Sequence, residues 1–253
     1  MSKNQKKVWI TGASSGIGKA VAEKFAAEGW RVAISARRKE ILDDMAKNHN
    51  ISSYPLDVID EENCKITFQK IISELTGVDL CIFCSGTYDP KKEKEIDVKQ
   101  SKFIMDVNYF GVLNCVKAVE KHFKDKKEGH ISIVSSIAGY RGLPNSSGYG
   151  PSKAALNNFA ESIYFDFKKY NVRVSVISPG FIKTPLTDKN DFPMPFLRSV
   201  KFAAEKIYTG VTKSNSFEIH FPKQFTFIMK ILKILPNWLY LKIIKKGMQT
   251  IGR

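Results

Sequence analysis

A glycine-rich turn between a short apolar strand and a helix constrains this chain more than any other feature of its sequence. The strand at residues 8–10 leads into Thr-Gly-Ala-Ser-Ser-Gly-Ile-Gly at residues 11–18, and a helical stretch follows. One glycine permits the tight bend, one lets the backbone approach a pyrophosphate, and one allows close packing of helix on strand. The helix N-terminus offers free N–H groups to the phosphates. A glycine-rich turn can also bind nothing, but its place between strand and helix predicts a dinucleotide site. The predicted contacts are Gly12, Ser14, Ser15, Gly16, Ile17 and Gly18.

Short β-rich runs alternate with helical stretches along most of the chain. We predict strands at residues 8–10, 31–35, 53–56, 78–84, 130–134, 172–177 and 217–221. Helices are predicted at residues 18–28, 40–47, 61–75, 100–123 and 152–169. This alternation indicates right-handed βαβ units and therefore a parallel α/β sheet. No repeat or linker interrupts it, so we predict one domain over residues 1–253, with a core to about residue 220 and a distinct tail over about 221–253.

The composition narrows the class of protein. The chain has 253 residues, of which 43% are hydrophobic and 26% charged, and this excludes disorder as a description of the whole. Four cysteines are too few for a disulfide scaffold, and the first residues lack the apolar run of a secretory signal. We therefore expect a cytoplasmic protein. Cys81 and Cys84 would point to opposite faces of a strand, which favours core packing over a redox pair. The four histidines show no ligand spacing, so no metal site is predicted.

Two arginines after the second strand bear on the choice of nicotinamide cofactor. In NAD-binding units an acidic residue about 20 positions after the glycine turn holds the ribose 2′-hydroxyl. Here Arg37 and Arg38 follow the strand, and no carboxylate comes before Glu40. A guanidinium suits a 2′-phosphate. The sequence therefore favours NADP(H) over NAD(H), the alternative being two solvated arginines at a helix start.

A tyrosine and a lysine four residues apart form the candidate catalytic pair. Tyr149 and Lys153 can share one helix face. A nearby ammonium would lower the pKa of the tyrosine, which is near 10 when free. Ser136 ends the strand before them, at the sheet edge where ligands bind in such folds. An ordinary surface pair is the alternative, and the position relative to Ser136 and the glycine turn argues against it.

Taken together, these motifs resemble the short-chain dehydrogenase/reductase family in its compact form of about 250 residues. The resemblance runs from about residue 7 to residue 221. It rests on TGASSGIG, Leu-Asp-Val at 56–58, Val-Asn at 107–108, Ser-Ser-Ile-Ala-Gly at 135–139, Tyr-Gly-Pro-Ser-Lys at 149–153 and SPGFIKT at 178–184. It implies a Rossmann-like, doubly wound, mainly parallel sheet of seven strands with helices on both faces.

The resemblance also implies a role for each matched residue. Tyr149 would be the general acid in carbonyl reduction and the base in the reverse direction, and Ser136 would hydrogen-bond the same oxygen. Lys153 would hold the nicotinamide ribose, and Asn108 would anchor a water of a proton relay. Asp57 and Val58 would contact the adenine. Backbone at Gly86 would approach the cofactor. The residues expected around the nicotinamide are Pro179, Gly180, Ile182 and Thr184.

Two parts of the chain depart from the family pattern. Relatives usually have Asn-Asn-Ala-Gly after the fourth strand, whereas this chain has Phe83-Cys84-Ser85-Gly86, which lacks the amides that brace the central strands. Relatives often end soon after the last strand in a segment used for tetramer contacts, but this chain continues for more than 30 residues. We therefore expect no such tetramer. A homodimer through the helices of Asn108 and Tyr149 is the remaining oligomer hypothesis.

Residues 186–199 contain two prolines and several polar residues, which indicates an irregular segment. The resemblance implies that this segment closes over the substrate as a lid, and long loops in compact domains are often functional. The alternative is a surface loop that packs these side chains into the core. The residues that would face a substrate are Phe192, Met194, Phe196 and Leu197.

The C-terminal tail is both basic and apolar. From residue 219 onward there are seven lysines and arginines and no acidic residue, out of a net charge of +15 for the chain. Its longest uncharged run, residues 234–241, is far shorter than the roughly 18 residues of a spanning helix. Pro236 should divide the tail into two helices. Binding to an anionic membrane surface and packing on protein both remain open, and no nucleic-acid partner is predicted. The apolar face predicted for the first helix comprises Phe225, Ile228, Met229, Leu232 and Leu235, with Lys230 and Lys233 away from it.

Three functions are compatible with these features. The first is an NADP(H)-dependent reductase of a ketone or aldehyde, with an apolar substrate if the tail binds the inner surface of a membrane. The second is a broad cytosolic carbonyl reductase whose tail is a dimer element. The third is a cofactor-binding regulatory protein without turnover, against which the intact set of Ser136, Tyr149, Lys153 and Asn108 argues.

Overall fold

The computed structural model describes residues 5–251, and the side chains of residues 5–247. Its strands are β1 (Lys7–Thr11), β2 (Arg31–Ser35), β3 (Ile51–Ser53), β4 (Leu80–Phe83), β5 (Gly129–Val134), β6 (Val172–Pro179) and β7 (Glu218–Phe221). Its α-helices are α1 (Gly16–Ala27), α2 (Lys39–Met45), α3 (Glu61–Leu75), α4 (Val98–Met105), α5 (Gly111–Lys126), α6 (Tyr149–Lys168), α7 (Val200–Lys213), α8 (Lys223–Ile234) and α9 (Asn237–Ile251).

The seven strands form one sheet in the order β3-β2-β1-β4-β5-β6-β7, and every neighbouring pair is parallel. The predicted fold class is therefore confirmed. After β3 the chain crosses the sheet to β4, so the connections from β1 and β4 leave in opposite directions. Such a switch point opens a crevice at the carboxyl ends of the strands, where ligands bind in open α/β sheets.

Helices cover both faces of the sheet because alternate strand residues point to opposite sides. Trp9 belongs to the core beneath α3, α5 and α6, and its neighbour Ile10 belongs to the core beneath α1, α2 and α7. Cys81 lies in the first core, whereas Cys84 packs against the second, as the strand geometry predicts. Both are free thiols.

Local structure differs from the sequence-based expectation in the bounds of one strand and one helix and in the continuity of a second helix. The strand predicted at residues 53–56 lies at Ile51–Ser53, although the Tyr54 and Leu56 amides still donate to backbone carbonyls at the end of β2 and just beyond it. A π-helical turn at Asp106–Phe110 interrupts the helix predicted at 100–123. Helix α6 begins at Tyr149, three residues before the expected start. Pro151 is tolerated there because N–H groups in the first turn have no intrahelical acceptor.

Helix α7 was not predicted from the sequence, although its signals are present. Ser199 caps it, with its hydroxyl accepting the Phe202 amide at 3.2 Å. Ala203, Ala204 and Ile207 are buried at helical spacing. The polar, proline-containing residues before it obscured this pattern.

The tail forms two helices that separate at Pro236, as predicted. The predicted apolar face of α8 is only partly correct. Phe225, Met229 and Leu232 pack against the residues that follow β5, but Ile228 is exposed, because it lies about 100° around the helix from Met229. Leu235 lies beyond the helix end.

Candidate active site

A cavity of about 460 Å³ lies at the carboxyl edge of the sheet, at the switch point between β1 and β4. Every predicted catalytic or cofactor-binding residue except Asn108 lines it, whereas the residues predicted to face a substrate do not: Phe192, Met194, Phe196 and Leu197. The lining comes from the glycine turn, the ends of β2, β4, β5 and β6, and the start of α6. Parallel strands bring these segments together because their carboxyl ends share one edge.

The glycine turn leaves no room for side chains. A Cβ on Gly12, whose φ is +67°, would lie 2.7 Å from the Cys84 carbonyl oxygen. A Cβ on Gly18 would lie 2.3 Å from the Gly12 carbonyl oxygen. The first turn of α1 carries no acidic residue, and the Ser15 side chain does not cap it. Its N–H groups are thus available to an anion, which fits the pyrophosphate of a dinucleotide.

The two arginines stand at the outer end of the same cavity. Arg38 donates through Nε and Nη2 to the Ser14 hydroxyl, at 3.2 and 2.9 Å. Arg37 Nη1 lies 4.0 Å from a carboxylate oxygen of Asp57, and both side chains are substantially exposed. Among the described residues, the hydrogen bonds given for Arg38 go to the neutral hydroxyl of Ser14. The Arg38 guanidinium therefore keeps further donors for a phosphate group.

Ser136, Tyr149 and Lys153 meet deeper in the cavity. The Lys153 ammonium donates to the Val134 carbonyl at 3.0 Å and lies 5.7 Å from the centre of the Tyr149 ring. Because the lysine is buried, its pKa falls to about 8. It is therefore mainly charged at pH 7 but much easier to deprotonate than an exposed lysine.

The pKa of Tyr149 corrects one expectation from the sequence. Burial raises it to about 12, and a hydrogen bond with Ser136 opposes this rise only in part. Loss of water around the phenol is the largest cause of this shift, and the predicted lowering by Lys153 is not among its causes. Tyr149 is protonated at neutral pH, which is the state that a general acid requires.

Asn108 lies behind the cavity in the π-helical turn, a feature often found at functional sites. Its carbonyl oxygen accepts the Thr87 amide at 2.7 Å. Its amide nitrogen donates to the Thr87 carbonyl and the Ser152 hydroxyl, both at 3.0 Å. Asn108 therefore holds the segment after β4 against α6. Its expected role in a water relay stays a prediction.

These bonds also bear on the missing amides after β4. The Thr11 hydroxyl accepts the Cys84 amide at 3.3 Å, which joins β1 to the end of β4. Together with the Asn108 bonds to Thr87, it braces the region where relatives carry asparagines. A Cβ on Gly86 would lie 3.5 and 3.6 Å from Asn108 Oδ1 and Lys153 Nζ, so the backbone passes close to both groups.

The irregular segment predicted at residues 186–199 is anchored near both ends. Arg198 N donates to Phe181 O, and Lys183 N donates to Arg198 O, at 3.0 and 2.8 Å. Between them Phe192 packs edge-on to Phe181, and Phe196 stacks on Phe225 of α8. Phe196 and Leu197 remain partly exposed. The role of this segment as a lid stays a prediction.

Sequence reasoning missed two residues beside Tyr149. The Tyr88 ring centre lies 4.7 Å from that of Tyr149. Glu93 is 5% exposed and accepts the Tyr149 backbone amide. Glu93 belongs to a run of charged residues, which is typical of a solvated surface, so the sequence contains no signal of its burial.

The described residues contain neither a cluster of metal ligands nor a membrane-spanning helix. Nowhere in residues 5–251 do three or more His, Cys, Asp or Glu side chains gather as metal ligands would. Within the same part of the chain, no helix has the length and apolar character needed to cross a membrane.

Comparison with known proteins assigns the chain to a family. Residues 6–193 match the model of the short chain dehydrogenase family. An uncharacterised oxidoreductase of Myxococcus xanthus is 35% identical over 91% of this chain and 93% of its own length. A 3-oxoacyl-[acyl-carrier-protein] reductase of Thermotoga maritima is 33% identical over 71% of this chain and 75% of its own length.

Solved structures agree with this assignment. The structure of ElxO with NADP bound is 27% identical, with a TM-score of 0.76 over 86% of this chain and 98% of that one. Similar structures include complexes with NADP and with NAD, so the comparisons leave the cofactor preference open. The fold, the glycine turn and these matches lead to one conclusion: the chain belongs to the short-chain dehydrogenase/reductase family and is an NAD(P)-dependent oxidoreductase.

Proposed function

We propose that the protein reduces a ketone or aldehyde with NADP(H), and that Tyr149 is the general acid. The observation that carries this proposal is the half-buried, protonated Tyr149 beside Ser136 and Lys153, within the cavity that the glycine turn also lines. A protonated phenol in the lining of this cavity can give its proton to a substrate oxygen that is becoming negative.

Each residue of the site has a separate role in the proposed reaction. A bound nicotinamide cofactor supplies the hydride. Tyr149 gives its hydroxyl proton to the substrate oxygen, and Ser136 donates a hydrogen bond to the same oxygen as charge develops. Lys153 is a charged donor beside Tyr149 and would hold the ribose of the bound cofactor. General acid catalysis of this kind contributes roughly 10² to 10⁴ in rate.

NADP(H) is the proposed cofactor because of the charge at the outer end of the cavity. Arg37 and Arg38 both line it, and a 2′-phosphate there would gain two guanidinium partners. Asp57, the nearest carboxylate in the lining, lies 4.0 Å from Arg37, which offsets its repulsion of a phosphate. NAD(H) would leave Arg38 without an anion, and Arg37 with only the carboxylate of Asp57.

The direct test of the function is turnover of a carbonyl series by the wild-type protein. We expect NADPH oxidation with aldehydes and ketones, and kcat/KM that rises with alkyl chain length. The proposed lid would bring Phe192, Phe196 and Leu197, which lie outside the cavity lining in this structure, over an apolar substrate. NADPH absorbance at 340 nm reports the rate. A kcat/KM that does not change with alkyl chain length would favour a broad carbonyl reductase. NADPH binding without turnover of any carbonyl or alcohol would favour the non-catalytic alternative.

We further propose that the C-terminal helices bind an anionic membrane surface, and the first support is the way they attach to the rest of the protein. Arg141 donates to the Leu232 and Leu235 carbonyls at 2.8 and 2.6 Å and lies 4.0 Å from the Tyr240 ring centre. Tyr240 donates in turn to the Gly142 carbonyl. One side of each helix is thus held by protein, which fixes the direction of the other side.

The opposite side of the two helices is apolar and exposed. We call it the tail surface: Phe227, Ile231, Ile234, Trp238 and Leu241. Phe227 is 65% exposed, Ile234 79% and Trp238 68%. In α8 these residues recur at intervals of three or four, which is the spacing of one helix face. Tryptophan is typical of segments that lie at a membrane interface.

The charges favour an anionic lipid over a second apolar protein surface. Lys230 pairs with Glu218 at 2.6 Å and Lys233 lies over the Tyr140 ring, so these two lysines serve protein contacts. Lys242 and Lys245 of α9 are exposed near Trp238 and Leu241 in the helix, and the tail contains no acidic residue. Each lysine near an anionic surface contributes about 1 kcal/mol.

Liposome co-sedimentation tests the tail surface. Full-length protein should pellet with vesicles of phosphatidylglycerol and phosphatidylcholine, and less so as salt rises. Trp238→Gln with Leu241→Gln should reduce the pelleted fraction at least tenfold, because both apolar anchors are lost. Phe165→Gln is the matched control, since Phe165 is 67% exposed on α6, away from the tail.

Unchanged pelleting of the double variant would contradict the membrane proposal. If the same variant instead changed the mass in analytical ultracentrifugation from dimer to monomer, the tail surface would be a contact between two copies. The homodimer hypothesis instead places the contact on the helices of Asn108 and Tyr149, near which Phe103 and Phe110 are a separate exposed apolar pair. Substitutions there should leave vesicle binding unchanged.

A further inference from the structure

Glu93 is a buried carboxylate in the segment that connects β4 to α4. Its neighbours in sequence, Lys91, Lys92, Lys94 and Glu95, are all exposed, but Glu93 itself is only 5% exposed. Its Oε2 accepts the Gly148 amide at 2.8 Å and the Tyr149 amide at 3.1 Å. Burial of a carboxylate away from water costs free energy, and hydrogen bonds such as these two offset part of that cost.

These two amides lie at the start of the helix that carries the proposed acid. Helix α6 has no acidic residue in its first turn, and Gly148 at its N-cap position has no side chain to accept a bond. Glu93 supplies the missing acceptor from 55 residues away in the chain. A negative group at a helix N-terminus also interacts favourably with the helix dipole, and charged acceptors make stronger hydrogen bonds than neutral ones.

The same segment touches Tyr149 a second time. The Tyr88 ring centre is 4.7 Å from the Tyr149 ring centre, with 43° between the planes. The Tyr88 hydroxyl donates to the Asn145 carbonyl at 3.2 Å, which holds the ring in place. Tyr149 is thus held at its backbone by Glu93 and at its ring by Tyr88. The other Glu93 oxygen, Oε1, is buried without a hydrogen-bond partner among the described residues.

We propose that Glu93 is a positioning residue for the reaction: its carboxylate fixes the first turn of α6 so that the Tyr149 hydroxyl stays within reach of Ser136 and the substrate oxygen. This inference rests on the proposed role of Tyr149 as general acid. An error of about 1 Å in such a position can cost about a hundredfold in rate. Glu93 itself touches neither substrate nor cofactor, since it does not line the cavity.

The test compares Glu93→Gln, Glu93→Ala and the control Glu95→Gln in steady-state kinetics. Gln keeps the volume and one acceptor oxygen but loses the charge, so we expect kcat to fall about tenfold. Ala removes the acceptor, and we expect a fall of about a hundredfold. KM for the carbonyl and the affinity for NADPH should stay within about twofold, because the cavity lining is intact. Glu95 is exposed two residues away, and its variant should match the wild type.

The pH profile provides a readout that a purely structural role would not move. Cys84 after β4, Tyr88 and Glu93 in the connecting segment, and Lys153 on α6 are the ionisable groups nearest Tyr149. Among them, the negative charge of Glu93 acts to raise the pKa of Tyr149. Removal of that charge should therefore shift the alkaline limb of kcat in Glu93→Gln to lower pH, with no shift in Glu95→Gln.

Two outcomes would overturn the inference. One is a Glu93→Gln variant with wild-type kcat and pH profile. The other is a variant that loses NADPH affinity and thermal stability while its cofactor-bound fraction turns over normally, which would make Glu93 structural only. Failure of the proposed function is a separate result, because it would appear as full activity of Tyr149→Phe whatever Glu93 does.

Discussion

Replacement of Tyr149 by phenylalanine should lower kcat for carbonyl reduction by roughly a hundredfold to ten-thousandfold, the range typical of a lost general acid. Phenylalanine keeps the ring contact with Tyr88 and the packing of the cavity floor. It removes only the hydroxyl, together with its proton and its bond to Ser136. NADPH affinity, measured by nicotinamide fluorescence, should stay within about threefold of the wild type.

Tyr54→Phe is the matched control for this variant. Tyr54 is buried, and its hydroxyl donates to Glu74 at 2.8 Å. Neither residue lines the cavity. Loss of the Tyr54 hydroxyl should cost about 1 kcal/mol of stability and leave kcat unchanged. If Tyr149→Phe retained more than a tenth of the wild-type kcat, the proton would come from another group and the proposed mechanism would be wrong.

Arg38→Ala should weaken NADPH binding by about 10- to 100-fold and leave NADH binding unchanged. A hydrogen bond to a charged group contributes about 1.5–3 kcal/mol, which corresponds to that range. Arg38 is the more constrained of the two arginines, because Ser14 in the glycine turn holds its guanidinium from one side. NADH has no 2′-phosphate, so it has no such bond to lose.

Lys39→Ala separates a specific contact from a general loss of positive charge. Lys39 is adjacent in sequence but pairs with Asp43 at 2.5 Å and does not line the cavity. Its variant should bind both cofactors like the wild type. A wild-type protein that binds NADH as tightly as NADPH, or an Arg38→Ala variant that loses both equally, would refute the proposed preference.

The fold and the chemistry of the site could be predicted largely from local sequence. Helix α3 illustrates the reason: Asp60 caps its first turn by accepting the Asn63 amide at 2.9 Å, and Thr76 ends it in the left-handed conformation. These signals lie within a few residues of the element that they define. The glycine turn is equally local, since its steric demands concern a strand end and the helix that follows directly.

Other features required contacts between distant parts of the chain. The pKa of Tyr149 depends on how completely the assembled site excludes water, and a residue type cannot report this. The direction of α8 depends on Arg141, more than 90 positions before the carbonyls that it binds. Ile228 and Met229 are adjacent in sequence and both apolar, yet Ile228 is exposed and Met229 is buried.

The sequence by itself thus determined the alternation of strands and helices along most of the chain, the parallel sheet and the residue types at its carboxyl edge, because periodicity, turn sterics and capping act over short distances. The tertiary structure alone decided that the pKa of Tyr149 rises instead of falling, that Glu93 lies buried at the start of α6, and which apolar face of the tail remains exposed. Burial and long-range hydrogen bonds set these properties, and both exist only once the chain has folded.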